Sequence, residues 1–458
     1  MATSISAENL SDAEHAVQLR RAVVAGTVGT IIEAYDFLLY VQVAPLVFAH
    51  LYFPSDNPLV GTLQAFGIYA VGFVARPVGA ALFGHYGDRI GRKVTLITTL
   101  LLTGLSTFAV GFVPGYASIG IWGAVILTVV RFIQGIGIGG EWGGATLIAM
   151  EWARTNSHRG FITSWPQWGG PAGLFLANLM VLLFSWISGD SFLSWGWRVP
   201  FWLSIVMVGI GLWIRLGILE TPIFRRIVEE QRVERTPVLE VLRQQPGMVA
   251  LTAICRMAEQ GPFYIFAAFI FTYGTTALHQ SRNLLLAAVM AATAVSAITT
   301  PLAGHLSDRI GRKKMYLIGV VAMGLSGYLY FALLNTAIPA VIFIAIILSF
   351  VPHDLQYGPQ AALIAECFPP RLRYSGSSLG FHLSSVIAGG PAPLIATALY
   401  AATGSGYVIA VYITITAIIA GLATLPLPDY TNRDVSEEHH YALAPGASAA
   451  PLEAAVDG

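Results

Sequence analysis

The sequence predicts an all-α integral membrane protein in which twelve transmembrane helices form two similar halves of six. The first observation is composition, because 55% of the 458 residues are hydrophobic and only 11% are charged, whereas soluble chains average about 25% charged residues. The second is an internal repeat, since residues 84–93 (GHYGDRIGRK) return as residues 304–313 (GHLSDRIGRK) with eight of ten positions identical. The third is that the rest of the chain divides into apolar runs of roughly the 20 residues that a helix needs to cross a bilayer.

The apolar runs, separated by charged or turn-rich breaks, give twelve expected spans. They cover residues 22–49, 58–82, 94–113, 120–150, 161–187, 199–219, 248–275, 284–305, 316–336, 338–365, 375–401 and 405–426. The least distinct break is Asn335–Pro339, where the ninth and tenth spans nearly touch. The expected organisation is a tail (1–21), a six-helix bundle (22–219), a linker (220–247), a second six-helix bundle (248–428) and a tail (429–458). The last tail is rich in Ala, Pro and Gly, which predicts disorder.

The distribution of basic residues predicts the orientation. We assign twenty of the 25 Lys and Arg residues to the tails, the linker and the loops of one side. The opposite side has only Arg198 and Arg282, while Arg76, Arg131 and Arg256 fall within spans. Because loops rich in Lys and Arg stay in the cytoplasm, both tails and the linker are expected to be cytoplasmic. The first twenty residues are polar, so we expect no removable signal peptide.

Composition also argues against several classes of function. The formal net charge is zero, which gives no reason to expect a nucleic-acid partner. The two cysteines, Cys255 and Cys367, lie in or beside apolar runs and do not indicate a disulfide framework or a metal site. The sequence shows no nucleophile triad, metal-ligand spacing or phosphate-binding loop, so we expect neither an enzyme nor a metal or cofactor. A transporter-like sensor would normally need a sizeable cytoplasmic domain, and none is expected.

The paired loops, with the pattern Gly-x-x-x-Asp-Arg-x-Gly-Arg-Lys in a twelve-span chain, resemble the major facilitator superfamily over residues 20–428. Shorter motifs look like those of the bacterial metabolite:H+ symporters, and of the shikimate permease and its relatives in particular. They are Glu33–Phe37, Arg131–Gly135, Gly140–Gly144, Ser194–Phe201, Arg256 with Glu259, His353-Asp354 and Arg373–Gly376. One departure is Ala34, where the family usually has an aromatic residue; it concerns the shape of the pocket more than coupling.

This resemblance implies a secondary active transporter that works by alternating access in the bacterial inner membrane, with both termini cytoplasmic. It implies proton-coupled uptake, driven by the proton gradient without a cofactor, of a small organic acid such as shikimate or a related mono- or dicarboxylate. A proline/betaine-type zwitterion:H+ symporter is the alternative, and an efflux pump fits less well because drug cavities usually carry fewer fixed positive charges. The expected partners are the substrate, protons and the lipid bilayer, and the protein is expected to be monomeric.

Charged residues inside the spans are the candidates for proton coupling, because a charge at the bilayer centre costs at least about 2.5–3.5 kcal/mol on insertion scales. Glu33 and Asp36 are three residues apart and share one helical face, which Tyr40 continues. The resemblance implies an acid in span one that faces an arginine in span four, so we expect Asp36 to pair with Arg131. Glu33 is the second candidate for the proton carrier. A static salt bridge that braces the two spans is the alternative.

The substrate is expected to be bound by charged and polar side chains from several spans. They are Arg131, Arg256, Tyr40, Gln134, Gln167, Tyr264, His353 and Asp354. At the repeat offset of 220 residues Arg256 corresponds to Asp36, so an acid and a base are expected to face a shared cavity. Ion pairs of Arg256 with Glu259 or Asp354 are the alternative. His353 and Asp354 are adjacent, so they are expected to point in different directions.

The repeated loops, together with acid–arginine pairs after spans four and ten, predict a gate on the cytoplasmic side. Its expected members are Gly84, Asp88, Arg89, Gly91, Arg92, Glu151, Arg159, Asp308, Arg309, Arg312, Glu366 and Arg373. The glycines let helices approach closely, and the Asp88 carboxylate can cap a helix N-terminus or pair with an arginine of a neighbouring span. We expect these charges to hold the cytoplasmic side shut; a role in topology alone is the alternative. Arg76 is expected to be structural or part of a gate rather than to bind substrate.

Overall fold

The computed structural model describes residues 11–54, 58–153, 158–217 and 236–435, and the regular structure in these ranges is helical. Twelve long helical units follow one another in the order of the expected spans. They are α1 (Asp12–Val43), α2 (Pro58–Ile90), α3 (Arg92–Val110), α4 (Trp122–Glu151), α5 (Arg159–Ser188), α6 (Ser204–Leu216, preceded by the turn Arg198–Trp202), α7 (Pro246–Cys255, Met257–Tyr264 and Ile270–Thr276), α8 (Arg282–Ile310), α9 (Arg312–Leu334), α10 (Pro339–Ala365), α11 (Arg373–Ser384 and Pro391–Thr403) and α12 (Gly406–Thr424).

Two of the twelve units are interrupted. A break at Arg256 and a π turn at Ile265–Phe269 divide α7, and a π turn at Ser385–Gly389 divides α11. In the part of the chain that the structure describes, eleven helices are long and apolar enough to cross a membrane. The unit α7 is not among them, because its break leaves no single helix of sufficient length. Irregular backbone at membrane depth is tolerated where it is buried in protein or lines a cavity. Both interruptions therefore point to the interior between the two halves.

Several helices extend beyond the apolar runs that predicted them. α1 begins at Asp12, because Ser11 and Glu14 form a capping box in which the Ser11 backbone N–H donates to the Glu14 carboxylate at 2.9 Å. α2 continues to Ile90, past the end of its apolar run near residue 82. An apolar run marks only the part of a helix inside the hydrocarbon. Residues 12–21, expected in the tail, consequently belong to α1.

The two copies of the repeat form equivalent turns. Gly91 separates α2 from α3 with φ of +108°, and Gly311 separates α8 from α9 with φ of +102°. Such positive φ values are accessible to glycine at little steric cost. We call the end of the bundle that carries these turns the basic end; it is the end that the sequence predicts to be cytoplasmic.

The halves α1–α6 and α7–α12 pack against each other through α5 with α8 and through α2 with α11. At the first crossing a Cβ on Gly304 would lie 2.7 Å from the carbonyl oxygen of Gly160, so this approach requires glycine. At the end opposite the basic end, Gln42 of α1 donates a hydrogen bond to the carbonyl oxygen of Ala267 in α7 at 3.3 Å. The halves are thus in contact on both sides of the space between them.

Two segments outside the bundle are described in part. Pro237–Gln244, in the linker, is a helix, whereas residues 220–235 of the linker lie outside the described residues. The C-terminal tail differs from the expectation of disorder at its start. Residues 429–435 pack on the basic end, where Tyr430 and Val435 are buried.

Candidate substrate cavity and gate

A cavity lies between the two halves, at the level where α7 is interrupted. Its volume is about 80 Å³, which is small beside the roughly 300–1,000 Å³ of pockets that bury drug-sized ligands. Helices α1, α2, α4, α5, α7, α10 and α11 contribute to its wall, and its acidic, basic and histidine residues are Glu33, Arg76, Arg256, Glu259 and His353. Because the wall comes from both halves, entry of a solute requires the halves to separate.

One face of α1 lines this cavity. Thr30, Glu33, Ala34 and Phe37 follow the i, i+3, i+4, i+7 spacing of a single helical face. Among the described residues the Oε2 atom of Glu33 is buried without a hydrogen-bond partner. A buried carboxylate oxygen in this state is costly, so Glu33 is placed to take up either a proton or a polar ligand.

Asp36 does not face the cavity, and the expected pair with Arg131 is not formed. Within the described part of the chain, no Arg, Lys or His nitrogen lies within 4.0 Å of the Asp36 carboxylate. The side chain instead lies against α3, with Oδ2 3.6 Å from the position of a Cβ on Gly104, and among the described residues both of its carboxylate oxygens are buried without a hydrogen-bond partner. Asp36 is one residue removed from the face that carries Glu33 and Phe37. The shared-face argument was therefore too coarse to separate the two acids.

The contacts of Arg131 explain why it does not bind Asp36. Its guanidinium donates to Gln134 and, at 3.2 Å, to the carbonyl oxygen of Phe37. It also stacks on the rings of Phe37, Tyr40 and Tyr69, with Cζ 3.9, 4.5 and 4.8 Å from the ring centroids. Each cation–π contact of this kind contributes about 2 kcal/mol of favourable interaction energy when it is desolvated. Three aromatic rings and a carbonyl thus occupy the place expected for the carboxylate.

Arg256 lines the cavity, but its donors are engaged. Nε donates to Gln360 at 3.1 Å, Nη2 donates to Glu259 at 3.1 Å and Nη1 donates to the carbonyl oxygen of Phe381. The guanidinium also lies over the Phe381 ring, with Cζ 3.3 Å from its centroid. The structure therefore contains the Arg256–Glu259 ion pair that the sequence offered as the alternative to substrate binding.

His353 links the cavity to the neighbouring helix. Its Nε2 lies 3.3 Å from Glu259 and its Nδ1 lies 2.9 Å from Asp354, and Asp354 in turn accepts a hydrogen bond from Thr299 of α8. His353 faces the cavity and Asp354 turns away from it, so the two adjacent side chains do point in different directions. Asp354 thus reaches the cavity only through His353.

Arg76 lies in the cavity wall, where the sequence placed no substrate contact. Its side chain is 6% exposed, and among the described residues no carboxylate oxygen lies within 4.0 Å of its nitrogens. Its guanidinium stacks on Phe37 and Phe73 at 3.9 and 4.5 Å, and Nη1 is 3.5 Å from the Ser385 hydroxyl of α11. The sequence did contain an indication that Arg76 could bind substrate, because an ionisable residue inside a span is a candidate functional residue by default.

The remaining expected substrate contacts divide into two groups. Tyr264 lines the cavity beside Phe73, with ring centroids 5.0 Å apart. Tyr40 and Gln134 are buried with Arg131, away from the cavity wall. Gln167 lies behind the wall, where it accepts a hydrogen bond from Trp142 at 2.7 Å and donates to the carbonyl oxygen of Tyr357 at 3.2 Å. Gln167 thus orients Trp142, which does face the cavity.

A second buried ion pair was not expected from the sequence. Arg215, which the sequence assigned to the cytoplasmic side, is 1% exposed and pairs with Glu141 of α4. Thr99 of α3 donates to the same carboxylate at 2.8 Å. The pair joins α3, α4 and α6 within the first half, because an arginine near a helix end can extend its long side chain back into the bundle.

At the basic end, Asp88 caps a helix of the opposite half. Its carboxylate accepts hydrogen bonds from the backbone N–H of Ser375 at 3.1 Å and from the Ser375 hydroxyl at 2.8 Å. The same carboxylate lies 3.3 Å from Arg92, which is 3.5 Å from Glu151. A carboxylate at the first turn of α11 is stabilised by unpaired N–H groups and by the helix dipole. This contact holds α2 of the first half against α11 of the second.

Asp308 repeats the arrangement in the other direction. It accepts hydrogen bonds from the backbone N–H groups of Gly160 and Phe161, at 2.8 and 2.9 Å, in the first turn of α5. Arg312 lies 3.1 Å from Asp308 and 3.2 Å from Glu366. Each half of the molecule therefore supplies an aspartate that caps a helix of the other half.

Glu366 receives a second arginine from across the interface. Arg159 of α5 lies 2.9 Å from its carboxylate. Burial raises the pKa of Glu366 above its ordinary value, while Arg312, Arg159 and Arg373 act in the opposite direction. The ion pairs consequently weaken as pH falls through the raised pKa.

The start of the C-terminal tail adds to these contacts. Arg159 donates to the carbonyl oxygens of Tyr430 and Arg433, and Arg373 donates to that of Val435 at 2.6 Å. The Tyr430 and Val435 side chains pack on α4 and α10 through a cluster that also includes Tyr374. Sequence reasoning missed this segment because it was grouped with the Ala-, Pro- and Gly-rich residues that follow it.

Two expected gate residues do not join the two halves. Arg89 and Arg309 are exposed, and Arg89 contacts His85 of its own helix at 3.1 Å. The glycines Gly84 and Gly91 act through geometry, because a Cβ on Gly84 would lie 3.0 Å from the Ser375 Cα. The repeat motif thus contains residues that bridge the halves and residues that only flank the turn.

Family models match most of the chain. The model described as "Sugar (and other) transporter" matches residues 22–250, and the one described as "Major Facilitator Superfamily" matches residues 263–454. The inner membrane metabolite transport protein YhjE of Escherichia coli (strain K12) is 39% identical over 413 residues, which cover 89% of this chain and 93% of that protein. The shikimate transporter of the same organism is 37% identical over 415 residues, covering 90% and 94%.

Among solved structures, the proton:xylose symporter XylE bound to 6-bromo-6-deoxy-D-glucose superposes with a TM-score of 0.73. The match covers 92% of this chain and 98% of that one, at 18% sequence identity, so it shows the fold alone. The predicted twelve-helix fold of two six-helix halves is thereby confirmed. The chain belongs to the major facilitator superfamily: it is a multi-pass membrane transporter for a small molecule and a relative of bacterial metabolite transporters.

Proposed function

We propose that the protein takes up a small organic acid together with a proton, by alternating access across the bacterial inner membrane. The observation that carries the proposal is the cavity between the halves, in which Glu33 has an unpartnered carboxylate oxygen and two arginines supply positive charge. The basic end, with both termini, faces the cytoplasm, since loops rich in Lys and Arg stay on that side.

The charges of the cavity wall favour joint binding of a proton and an anion. If His353 is neutral, the positive charges of the two arginines balance the negative charges of Glu33 and Glu259. If His353 is protonated, its charge is balanced by that of its partner Asp354, so the net charge stays at zero. Protonation of Glu33 removes one negative charge, so the wall gains a net positive charge that attracts one carboxylate. Two ligands that each strengthen the binding of the other are thermodynamically coupled. A proton and a monoanion are therefore expected to cross together.

Contacts at the basic end supply the gate for this cycle. The helix caps of Asp88 and Asp308 and the Arg159–Glu366 ion pair all join the two halves. Release of substrate into the cytoplasm must break them, and their re-formation closes that side. The 37% identity to a shikimate transporter supports a carboxylic acid as the substrate class.

The proposal is tested by uptake into proteoliposomes with an imposed pH gradient, alkaline inside. Radiolabelled shikimate, 2-oxoglutarate, citrate and glycine betaine are each supplied, and liposomes without protein serve as the control. We expect accumulation of at least one of the three acids, loss of that accumulation with a protonophore, and weak competition by its methyl ester. Accumulation that ignores the gradient, equal competition by acid and ester, or uptake of betaine alone would contradict the proposal.

A further inference from the structure

We propose that Arg76, rather than Arg256 or Arg131, is the group that binds the substrate carboxylate, and that Ser385 of the opposite half donates a second hydrogen bond to it. This inference rests on the proposed function, because it assigns a subsite for an anionic substrate within the same cavity. It names residues on α2 and α11 that the sequence motifs did not indicate as substrate contacts.

The first argument is the availability of donors. Arg256 uses Nε, Nη1 and Nη2 on Gln360, Phe381 and Glu259, and Arg131 donates to Gln134 and Phe37. Each nitrogen of Arg256 therefore already has a partner. Arg131 has an unpartnered Nε among the described residues, but it lies with Tyr40 away from the cavity wall, where a solute does not reach it. In the part of the chain described, the Nε of Arg76 has no hydrogen-bond partner, and its Nη1 contact with Ser385 is long, at 3.5 Å. Arg76 therefore keeps donors for a ligand.

The second argument is the proton of Ser385. A hydroxyl has one donor and two acceptor positions. The Ser385 oxygen accepts from Gln260 at 2.9 Å and faces the Arg76 guanidinium at 3.5 Å, and neither of these two donor nitrogens can accept the Ser385 proton. Its O–H remains to donate, and a carboxylate oxygen is the acceptor that suits a donor beside a guanidinium. Ser385 lies in the π turn of α11, a deviation that often marks functional sites.

The third argument is electrostatic. The Arg76 and Arg131 guanidinium groups both stack on the Phe37 ring, each with Cζ 3.9 Å from its centroid. Two like charges that share one buried ring repel each other, and Glu33, a carboxylate of the same cavity wall, is the proposed proton carrier. An anion at Arg76 relieves the repulsion, and the relief is greatest when Glu33 is protonated.

The position of this subsite explains how binding is linked to closure. Arg76 belongs to the first half, whereas Ser385, Gln260 and Tyr264 belong to the second. Tyr264 lines the same cavity as Arg76, and Phe73, one turn before Arg76, packs against a glycine of α11. A carboxylate held between Arg76 and Ser385 bridges the two halves, so its binding favours the state in which they are in contact.

The test measures binding to the purified full-length protein by isothermal titration calorimetry, with shikimate and its methyl ester as probes. We expect Arg76→Gln to weaken shikimate binding by at least about tenfold, the effect of losing a hydrogen bond to a charged group. Arg76→Lys retains the charge without the fork and should be intermediate. Ser385→Ala should weaken binding by several-fold, whereas Ser384→Ala, its buried neighbour, should bind like the parent. Ester binding should change little in any variant.

Each outcome bears on the inference. If Arg76→Gln binds shikimate within twofold of the parent, or if acid and ester lose affinity equally, the subsite is wrong. Gradient-driven uptake of an acid by the parent would then leave the proposed function standing. If the parent binds none of shikimate, 2-oxoglutarate and citrate, both the subsite and the substrate class fall. Should Arg76→Gln not fold, Arg76→Lys and the serine pair decide the question alone.

Discussion

At the scale of single residues, Glu33 and Asp36 show how a small rotation about a helix separates two acids. Both belong to α1, yet Glu33 lies in the cavity wall and Asp36 is buried against α3. Only a group that reaches the cavity can respond to the side from which the cavity is open. We therefore expect Glu33, the second candidate by sequence, to be the proton carrier.

Glu33→Gln should abolish accumulation of substrate driven by a pH gradient and should retain exchange of substrate across the membrane. Glutamine keeps the size of the side chain but cannot carry a proton, so only the uphill step is lost. Gradient-driven uptake and counterflow in proteoliposomes measure the two activities separately. Asp36→Asn is the matched variant and should keep more of the uphill uptake. The reverse result, with accumulation lost in Asp36→Asn and normal in Glu33→Gln, would return the coupling role to Asp36.

At the scale of helices, the repeat produces two caps that cross the interface in opposite directions. Asp88 holds the first turn of α11, and Asp308 holds the first turn of α5. The sequence predicted both aspartates as gate residues and offered helix capping as one role. It could not identify the helix that each one caps, because the partners are 287 and 148 residues away along the chain.

Asp88→Asn should favour opening at the basic end by about 1–3 kcal/mol, the usual size of a coupling free energy, because the cap loses its charge and Arg92 loses a partner. The readout is labelling of a single cysteine at Ala365, which is buried at the basic end, after replacement of Cys255 and Cys367. N-ethylmaleimide should react faster in Asp88→Asn than in the parent.

Arg89→Gln, a change in the same loop at an exposed residue, should leave the rate unchanged. Equal rates in all three proteins, with normal transport, would restrict the loop to topology.

At the scale of the whole molecule, the segment 429–435 packs across the basic end. Tyr430 and Val435 pack on α4 of the first half and on α10 of the second, and Arg159 binds the segment from α5. Because the segment contacts both halves at once, its packing is expected to stabilise the closed state.

Truncation after Pro428 should therefore speed labelling of the cysteine at Ala365 and lower the steady-state accumulation of substrate. Truncation after Val435 is the control, since it removes the rest of the tail and keeps the packed segment. If both truncated proteins behave like the parent, the segment rests on the basic end without affecting its opening.

Much of the architecture follows from the sequence because its causes are local. Apolar runs determine which segments enter the bilayer, basic loops predict their orientation, and the repeat motif marks the two turns at which the structure has Gly91 and Gly311 with positive φ. The repeat also predicted two equivalent halves, since equal motifs at equal positions produce equal turns. The buried charged residues could also be identified from the sequence, because few ionisable residues occur within the spans.

The pairing of those charges was decided by the tertiary structure alone. Arg131 binds aromatic rings where the sequence suggested Asp36, Arg256 is held by Glu259, and Arg76 is left with free donors. Which partner an arginine takes depends on rotations of each helix by a fraction of a turn and on contacts between residues far apart in the chain. A single sequence specifies such contacts only through the packing of all twelve helices, so the charged residues could be named in advance but the partners of most of them could not.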